Sequence, residues 1–304
     1  MNPKVLCYGG ICVDNIIHVP YMPSPGIATT PTHQQFQLGG GATQTAVWLA
    51  RWGVPVALTG NAIGQDEYGK KILEWLTAYE SFDIHQIQQL NSLETPYTRA
   101  IVPPGGDRHL IEFGYDTAPM CPAEDVDLGG LNILTVNFYY NNPERETPRL
   151  AKRAKNQGIT VIASDVLDED NALFSVSDIL INSRAVMKTK LPMSNHIDYS
   201  TALQAKHGGI VIMTDGEQPV HVITRDSEQF SVDVPSVAVT DTTGAGDAFR
   251  AGIVYGHLHA WSLEESIKLA VASGALQVNR DASRTPPASF DEVSALGRTL
   301  SSTQ

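Results

Sequence analysis

The feature that most constrains this chain is a change of rhythm after residue 131. Short apolar runs at residues 133–136, 160–163, 179–181 and 210–213 alternate with helical stretches at 144–156 and 201–206. Runs this short and this evenly apolar suit strands buried on both faces. Such strands run parallel and are joined by helices that cover the sheet. Helices predicted at 245–259, 263–278 and 290–300 finish the chain. The first third reads differently. Strands at 5–8 and 12–19 are broken by Gly9-Gly10, and a loop follows at 21–32. A weakly alternating stretch, 33–38, suits a small accessory sheet. Gly39-Gly40-Gly41 opens a helix through residue 52, closed by Gly53. A strand is expected at 54–62, and a helix at 66–79 capped by Gln65 or Asp66. Polar-rich strands across 85–113 are split by Pro103-Pro104-Gly105-Gly106 and read as a hairpin. The expectation is one α/β domain over residues 1–304 with a small β-sheet inserted from its N-terminal third.

The composition, 42% hydrophobic and 18% charged over 304 residues, supplies apolar material for a full core. A formal net charge of -12 argues against general nucleic-acid binding, which needs basic surface. The three cysteines form no CxxC pair and no zinc-like spacing with histidine, so buried thiols in a reducing compartment are expected. Nothing at the start of the chain reads as a secretory leader, and no apolar run approaches the ~20 residues of a spanning helix. These features predict a cytoplasmic protein with no membrane partner.

The chemistry-bearing stretch is Asp241-Thr242-Thr243-Gly244-Ala245-Gly246-Asp247-Ala248-Phe249. A strand predicted at 232–239 precedes it, and a helix carrying Phe249, Ile253 and Val254 on its apolar face follows. The first amides of a helix lack intrahelical partners, and the aligned peptide dipoles place roughly half a positive charge there. Gly244 and Gly246 let backbone approach an oxyanion without a Cβ in the way. Asp247 then stands in the first turn, placed to take a proton from a hydroxyl attacking a bound phosphoryl group. The alternative is that the glycines make a tight turn and Asp247 caps the helix.

The string resembles the C-terminal signature of the ribokinase and phosphofructokinase-B family of carbohydrate kinases, and the likeness extends through nearly the whole chain in motif order. Gly9-Gly10 with Asp14 resembles the family's first strand and its substrate-binding aspartate. Gly39-Gly40-Gly41 through Gly53 resembles the glycine-rich first signature. Ile63-Gly64-Gln65-Asp66-Glu67-Tyr68-Gly69 resembles Ile-Gly-x-Asp-x-x-Gly, and Thr214-Asp215-Gly216 the Thr-x-Gly of the nucleotide site. Residues 275–286 resemble the segment lining the adenine pocket.

The resemblance implies a ribokinase-like fold: a central, mostly parallel sheet flanked by helices, with a small β-sheet lid from about 12–38 and 95–115. It implies ATP-dependent phosphorylation of a primary hydroxyl of a sugar or sugar-like molecule. Asp247 would be the general base, and Gly244, Ala245 and Gly246 would hold the γ-phosphate. Asp14, Gly40, Gly41, Gln44 and Asn137 would meet the substrate, with Asp14 bridging two hydroxyls. Turn-capping remains the alternative for Asp14 and a solvent-facing place for Gln44. Asn182, Thr214, Gly216, Thr242 and Asn279 would line ATP. Mg²⁺ would be held through the ATP phosphates and water rather than by a protein cage. A monovalent cation such as K⁺, near Asp241 and residues 279–283, is left open.

Three positions depart from the family pattern. Gln44 stands where asparagine is usual, and Glu217-Gln218-Pro219 follows Gly216 where a second glycine is usual. Asn182-Ser183-Arg184-Ala185 replaces Asn-x-x-Glu, so Ala185 offers no atom to organise Mg²⁺, while Arg184 is either a phosphate cation or an exposed helix start. Arg99 and Arg108, in the expected lid, are candidates to meet an anionic substrate or are solvated charges. A nucleoside kinase with Tyr97, Phe113 and Tyr139 around the base is an alternative, as is a weakened relative that only binds ligand. A lid exposing an apolar face would also suit a homodimer. No GxxxxGK[ST] and no GxGxxG in the first βα turn occurs, which sets aside P-loop NTPases and dinucleotide-binding dehydrogenases.

Overall fold

A computed structural model describes residues 4–104, 108–137, 146–191, 195–280 and 286–303. The chain opens with β1 (Val5–Gly9), then β2 (Cys12–His18) and β3 (His33–Gly39), and α1 (Gly41–Arg51). Next come β4 (Val56–Gly60), β5 (Ile63–Gly64), α2 (Glu67–Thr77), β6 (Phe82–Asp83) and β7 (Gln89–Leu90). The strands β8 (Tyr97–Val102) and β9 (His109–Phe113) precede β10 (Ile133–Val136), α3 (Glu146–Asn156) and β11 (Thr160–Ser164). Then follow β12 (Ile179–Ser183), α4 (Arg184–Lys190), α5 (His196–His207), β13 (Ile210–Asp215), β14 (Gln218–Ile223) and β15 (Gln229–Val232). The chain ends with α6 (Ala245–Leu258), α7 (Leu263–Asn279), α8 (Phe290–Gly297) and β16 (Ser302–Thr303).

Among the described residues, ten strands form one sheet in the order β16-β15-β14-β13-β12-β11-β10-β1-β4-β6. The pairs from β6 through β13 are parallel, and β13 to β16 pair antiparallel. The period-two geometry of a strand sends alternate side chains to opposite faces. On β1, Val5 and Cys7 join one core layer while Leu6 and Tyr8 join the other. The first layer packs α1, α6 and α7 against the sheet through Trp48, Leu49, Phe249, Ile253 and Ile267. The second packs α3 and α5 through Leu150, Ala151 and Leu203. Burying each large aliphatic side chain is worth roughly 1.5–3 kcal/mol, so two continuous layers hold the sheet rigid beneath its loops.

A separate four-stranded sheet runs β3-β2-β8-β9. The parallel β2–β8 pair sets Asp14 beside Thr98, and the antiparallel β2–β3 pair sets it beside Gln37. This sheet exposes Leu110 and Ile111 on β9.

Local sequence explains most boundaries, and tertiary context moved several. Asp66 caps α2 by accepting from the Gly69 amide at 2.8 Å. The helix predicted at 201–206 extends from His196 to His207 because Asn195 accepts from the Ile197 and Asp198 amides. The α4 helix begins at Arg184, as the helix-start alternative for that residue expects, and Ser183 caps it through the Val186 amide. The strand expected at 232–239 is a correction: β15 ends at Val232, and no strand follows before α6. Pro235 has no amide to donate to a ladder, and Val239 is 65% exposed. The α8 helix stops at Gly297 rather than 300. Gly105-Gly106 and the first two residues of the helix expected from 144 lie outside the described residues. All three cysteines are free and buried. Among the described residues, no helix is long and apolar enough to cross a membrane.

Candidate active site

The parallel strands β1, β10 and β11 end together, and α6 begins above their carboxyl ends, where open α/β sheets place ligands. Gly244 caps α6 in the left-handed conformation, φ 75°, which a side chain would resist. The first intrahelical bond of the turn runs from the Ala248 amide to the Gly244 carbonyl at 2.9 Å, so the amides of Gly246 and Asp247 precede it. A Cβ built on Gly246 meets nothing within 4 Å. Backbone donors with open space before them, at the positive end of a helix, can receive a phosphoryl group.

Beside this cradle is a cavity of about 320 Å³ whose lining includes Asp14, Gly40, Gly41, Arg108, Glu112, Gly244 and Asp247. Ile16, Ala100, Leu110 and Tyr115 form its apolar wall. Gly41 permits the closest approach: a Cβ there would lie on Asn137 Nδ2 and 2.9 Å from Asp247 Oδ1. Burial pushes the Asp247 carboxyl above the usual range, opposed by the Arg250 charge and by hydrogen bonds from Arg250 and Asn137. Burial likewise raises Asp14, to about 7, while a hydrogen bond from Cys12 and the Arg108 charge pull it down and Asp247 pushes it up.

Arg108 reaches from beside β9 to the loop before α6, donating to Thr243 Oγ1 and, at 3.4 Å, to Thr242 Oγ1. Its Nε lies 4.0 Å from Asp241 Oδ1, which accepts from the Thr243 amide at 2.8 Å. The loop is tied down from behind as well. Gln277 Nε2 donates to the Thr243 carbonyl at 2.8 Å, and Asn279 Nδ2 to the Ala238 carbonyl at 2.9 Å.

Asp14, Gly40, Gly41, Gly244 and Asp247 therefore front one cavity, and Asn137 stands against Gly41 and Asp247. Gln44 does not front it. That side chain lines a neighbouring cavity of about 480 Å³, and its amide donates to the Leu38 carbonyl. Thr214 and Gly216 end β13 and begin its turn, at the same edge of the sheet. Asn182 is wholly buried: Nδ2 donates to the Val166 carbonyl at 3.0 Å, and its backbone carbonyl accepts from Thr214 Oγ1 at 3.4 Å. It thus offers a nucleotide no exposed atom and instead supports Thr214. Arg184 pairs with Asp215. Arg99 lies over the rings of Tyr97 and Phe113, which stack on each other at 4.6 Å; none of the three lines the 320 Å³ cavity. Tyr139 and residues 281–283 lie outside the described residues. Among the described residues, no three His, Cys, Asp or Glu side chains converge to hold a metal.

Sequence reasoning missed Arg250. Its side chain is 7% exposed and donates to Asp247 Oδ1 at 3.1 Å and Asn137 Oδ1 at 2.6 Å. The signal was present: an arginine three residues after the motif's second aspartate shares its helix face, and its neighbours are otherwise apolar.

The pattern of pfkB family carbohydrate kinases matches residues 2–289. A 5-dehydro-2-deoxygluconokinase from Clostridium beijerinckii is 23% identical, over 79% of this chain and 78% of its own. Among solved structures, ribokinase from Thermotoga maritima superposes with a TM-score of 0.83 at 20% identity, covering 97% of this chain and 99% of that one. Arabidopsis thaliana ribokinase, solved with ribose and ATP, superposes with a TM-score of 0.80 at 21% identity, covering 98% of this chain and 99% of that one.

Proposed function

We propose, on the premise that this chain belongs to the pfkB family of carbohydrate kinases, that it transfers the γ-phosphoryl group of ATP to a primary hydroxyl of a neutral, sugar-like acceptor, with Asp247 as base. The observation that carries this reading is the placement of Asp247. Its carboxylate fronts the cavity from the same helical turn whose free-facing amides form the phosphate cradle.

In this mechanism Asp14 accepts hydrogen bonds from acceptor hydroxyls, and Gly40 and Gly41 let the acceptor lie close to backbone. Asp247 takes the proton of the attacking hydroxyl as its oxygen bonds to the γ-phosphorus. The bond between that phosphorus and the β,γ-bridging oxygen breaks, and ADP leaves with the electron pair. The amides of the Gly244–Gly246 turn receive charge spread over the transferring oxygens. Thr214, Gly216, Thr242 and Asn279 would border the nucleotide, with Asn182 bracing Thr214 from beneath. Mg²⁺, which would be held through the ATP phosphates and water rather than by side chains of this chain, would add charge neutralisation there. Asp247 returns its proton to water once the product departs.

The lining charge supports a neutral acceptor. Asp14, Glu112 and Asp247 face the cavity against Arg108 alone, and Arg108 is already engaged by Thr242 and Thr243 and lies beside Asp241. An acceptor carboxylate or phosphate would meet three carboxyl groups and one guanidinium already engaged by the loop before α6. The four-stranded sheet acts as a lid, and Ile111, exposed on β9 and absent from the cavity lining, supports its pairing with a second copy of the chain.

A coupled ADP-release assay across ribose, fructose, nucleosides, 2-keto-3-deoxygluconate and sugar phosphates tests the proposal. Neutral acceptors should turn over at least ~10-fold better in kcat/KM than the anionic ones, and Asp247→Asn should lower kcat by about 10³-fold. Parent-like turnover by Asp247→Asn would show that Asp247 is not the base.

A further inference from the structure

We infer that Arg250 is a positioning residue for Asp247, holding its carboxylate and the Asn137 amide in a fixed relation to the phosphate cradle. This deepens the reading of Asp247 as base and rests on it. Arg250 does not line the cavity, so it acts only through its partners.

The guanidinium joins groups from four separate parts of the fold. Nη1 lies within hydrogen-bond distance of Asp247 Oδ1 on α6 at 3.1 Å, Asn137 Oδ1 after β10 at 2.6 Å and Thr45 Oγ1 on α1 at 3.1 Å, which share its two hydrogens. Nε donates to Ser164 Oγ at the end of β11 at 2.8 Å. Thr45 Oγ1 in turn lies 2.9 Å from the carbonyl of Gly41, the residue against which Asn137 and Asp247 are packed. A planar fork with several fixed donors suits this work; a lysine ammonium would not reproduce its directions.

The surroundings give Arg250 an electrostatic consequence. Asp165, following β11, pushes Asp247 up, and Asp165 is itself raised by burial and drawn down by Arg250. Cys7 on β1 and Asp14 on β2 feel the Asp247 charge, and Arg108 and Glu112 line the same cavity as Asp14. Among the described residues, Arg250 is the cation paired with Asp247. Removing it leaves two half-buried carboxyls, Asp247 and Asp165, each favouring the protonated form. A protonated Asp247 cannot accept the acceptor's proton, so the acid limb of turnover moves toward higher pH.

The test compares the parent protein with Arg250→Gln and Arg250→Lys, using ¹³C NMR of labelled aspartate carboxyls, with Asp247→Asn assigning the signal. In Arg250→Gln the Asp247 titration should move upward by about 1–2 pH units, and the acid limb of kcat/KM for the best acceptor should move with it. Arg250→Lys should keep most of the titration but lose kcat at least ~10-fold, with KM for ATP changed less than about threefold. A folded Arg250→Gln whose Asp247 titrates as in the parent overturns the inference. If that variant does not fold, a folded Arg250→Lys with parent kcat overturns it instead. The NMR titration needs no turnover, so it separates this coupling from the base assignment, which Asp247→Asn kinetics decide.

Discussion

Replacing Gly41 by alanine should separate activity from stability. Gly41 is the first residue of α1 and is not among the positive-φ glycines, so its backbone accepts alanine. The added methyl, however, would fall on Asn137 Nδ2 and lie 2.9 Å from Asp247 Oδ1. Ordinary carbon contacts begin near ~3.5 Å, so Asp247 must retreat by about half an ångström or more. Retreat is opposed because Arg250 holds both neighbours, at 3.1 and 2.6 Å. Misplacing a reacting group by ~1 Å can cost about 100-fold in rate, or roughly 2.7 kcal/mol of barrier. Stability should change less. Alanine gains up to ~1 kcal/mol of helix propensity, against ~1–3 kcal/mol for overpacking, a shift of about 5 °C or less in Tm. Initial rates at saturating ATP and acceptor, beside thermal melts, make the comparison. A Gly41→Ala protein with kcat within about threefold of the parent would refute the claim that Asp247 and Asn137 are held immovably against Gly41.

Two further predictions follow from the same geometry. Gly246→Ala places its methyl in the open space before α6, so melting should be unchanged or slightly higher while KM for ATP rises about tenfold; steady-state kinetics with varied ATP check this. Asp14, raised to about 7 by burial, contributes stability that is fully present below about pH 4 and is lost as pH rises through about 7. Asp14→Asn should therefore match the parent's melting at low pH, exceed it by on the order of 2 kcal/mol at pH 8, and bind acceptor poorly at both; pH-dependent denaturant titrations read the difference.

The parallel sheet was legible because strands buried on both faces have no choice but continuous apolar runs, as in residues 133–136 and 179–181. The turn that opens α6 was legible because glycines before a helix start carry a backbone geometry few other residues adopt, as Gly244 does. Both are local rules, written into neighbouring residues. The expected strand at 232–239 failed for the complementary reason: its apolar, β-branched residues met the local rule, but a strand also needs a partner, and beyond Val232 none pairs with it among the described residues.

What the sequence by itself determined is therefore most of the elements and the glycine turn that opens α6, because short-range sterics and apolar periodicity act within a few residues. The tertiary structure alone decided which side chains share the site. It turned Gln44 to a neighbouring cavity, buried Asn182 beneath Thr214, and brought Arg108 across to the loop before α6. It also set Arg250 among Thr45, Asn137, Ser164 and Asp247, residues up to 205 positions away in the chain. Contacts at that separation depend on how sheet and helices pack against one another, which no local window of residues encodes.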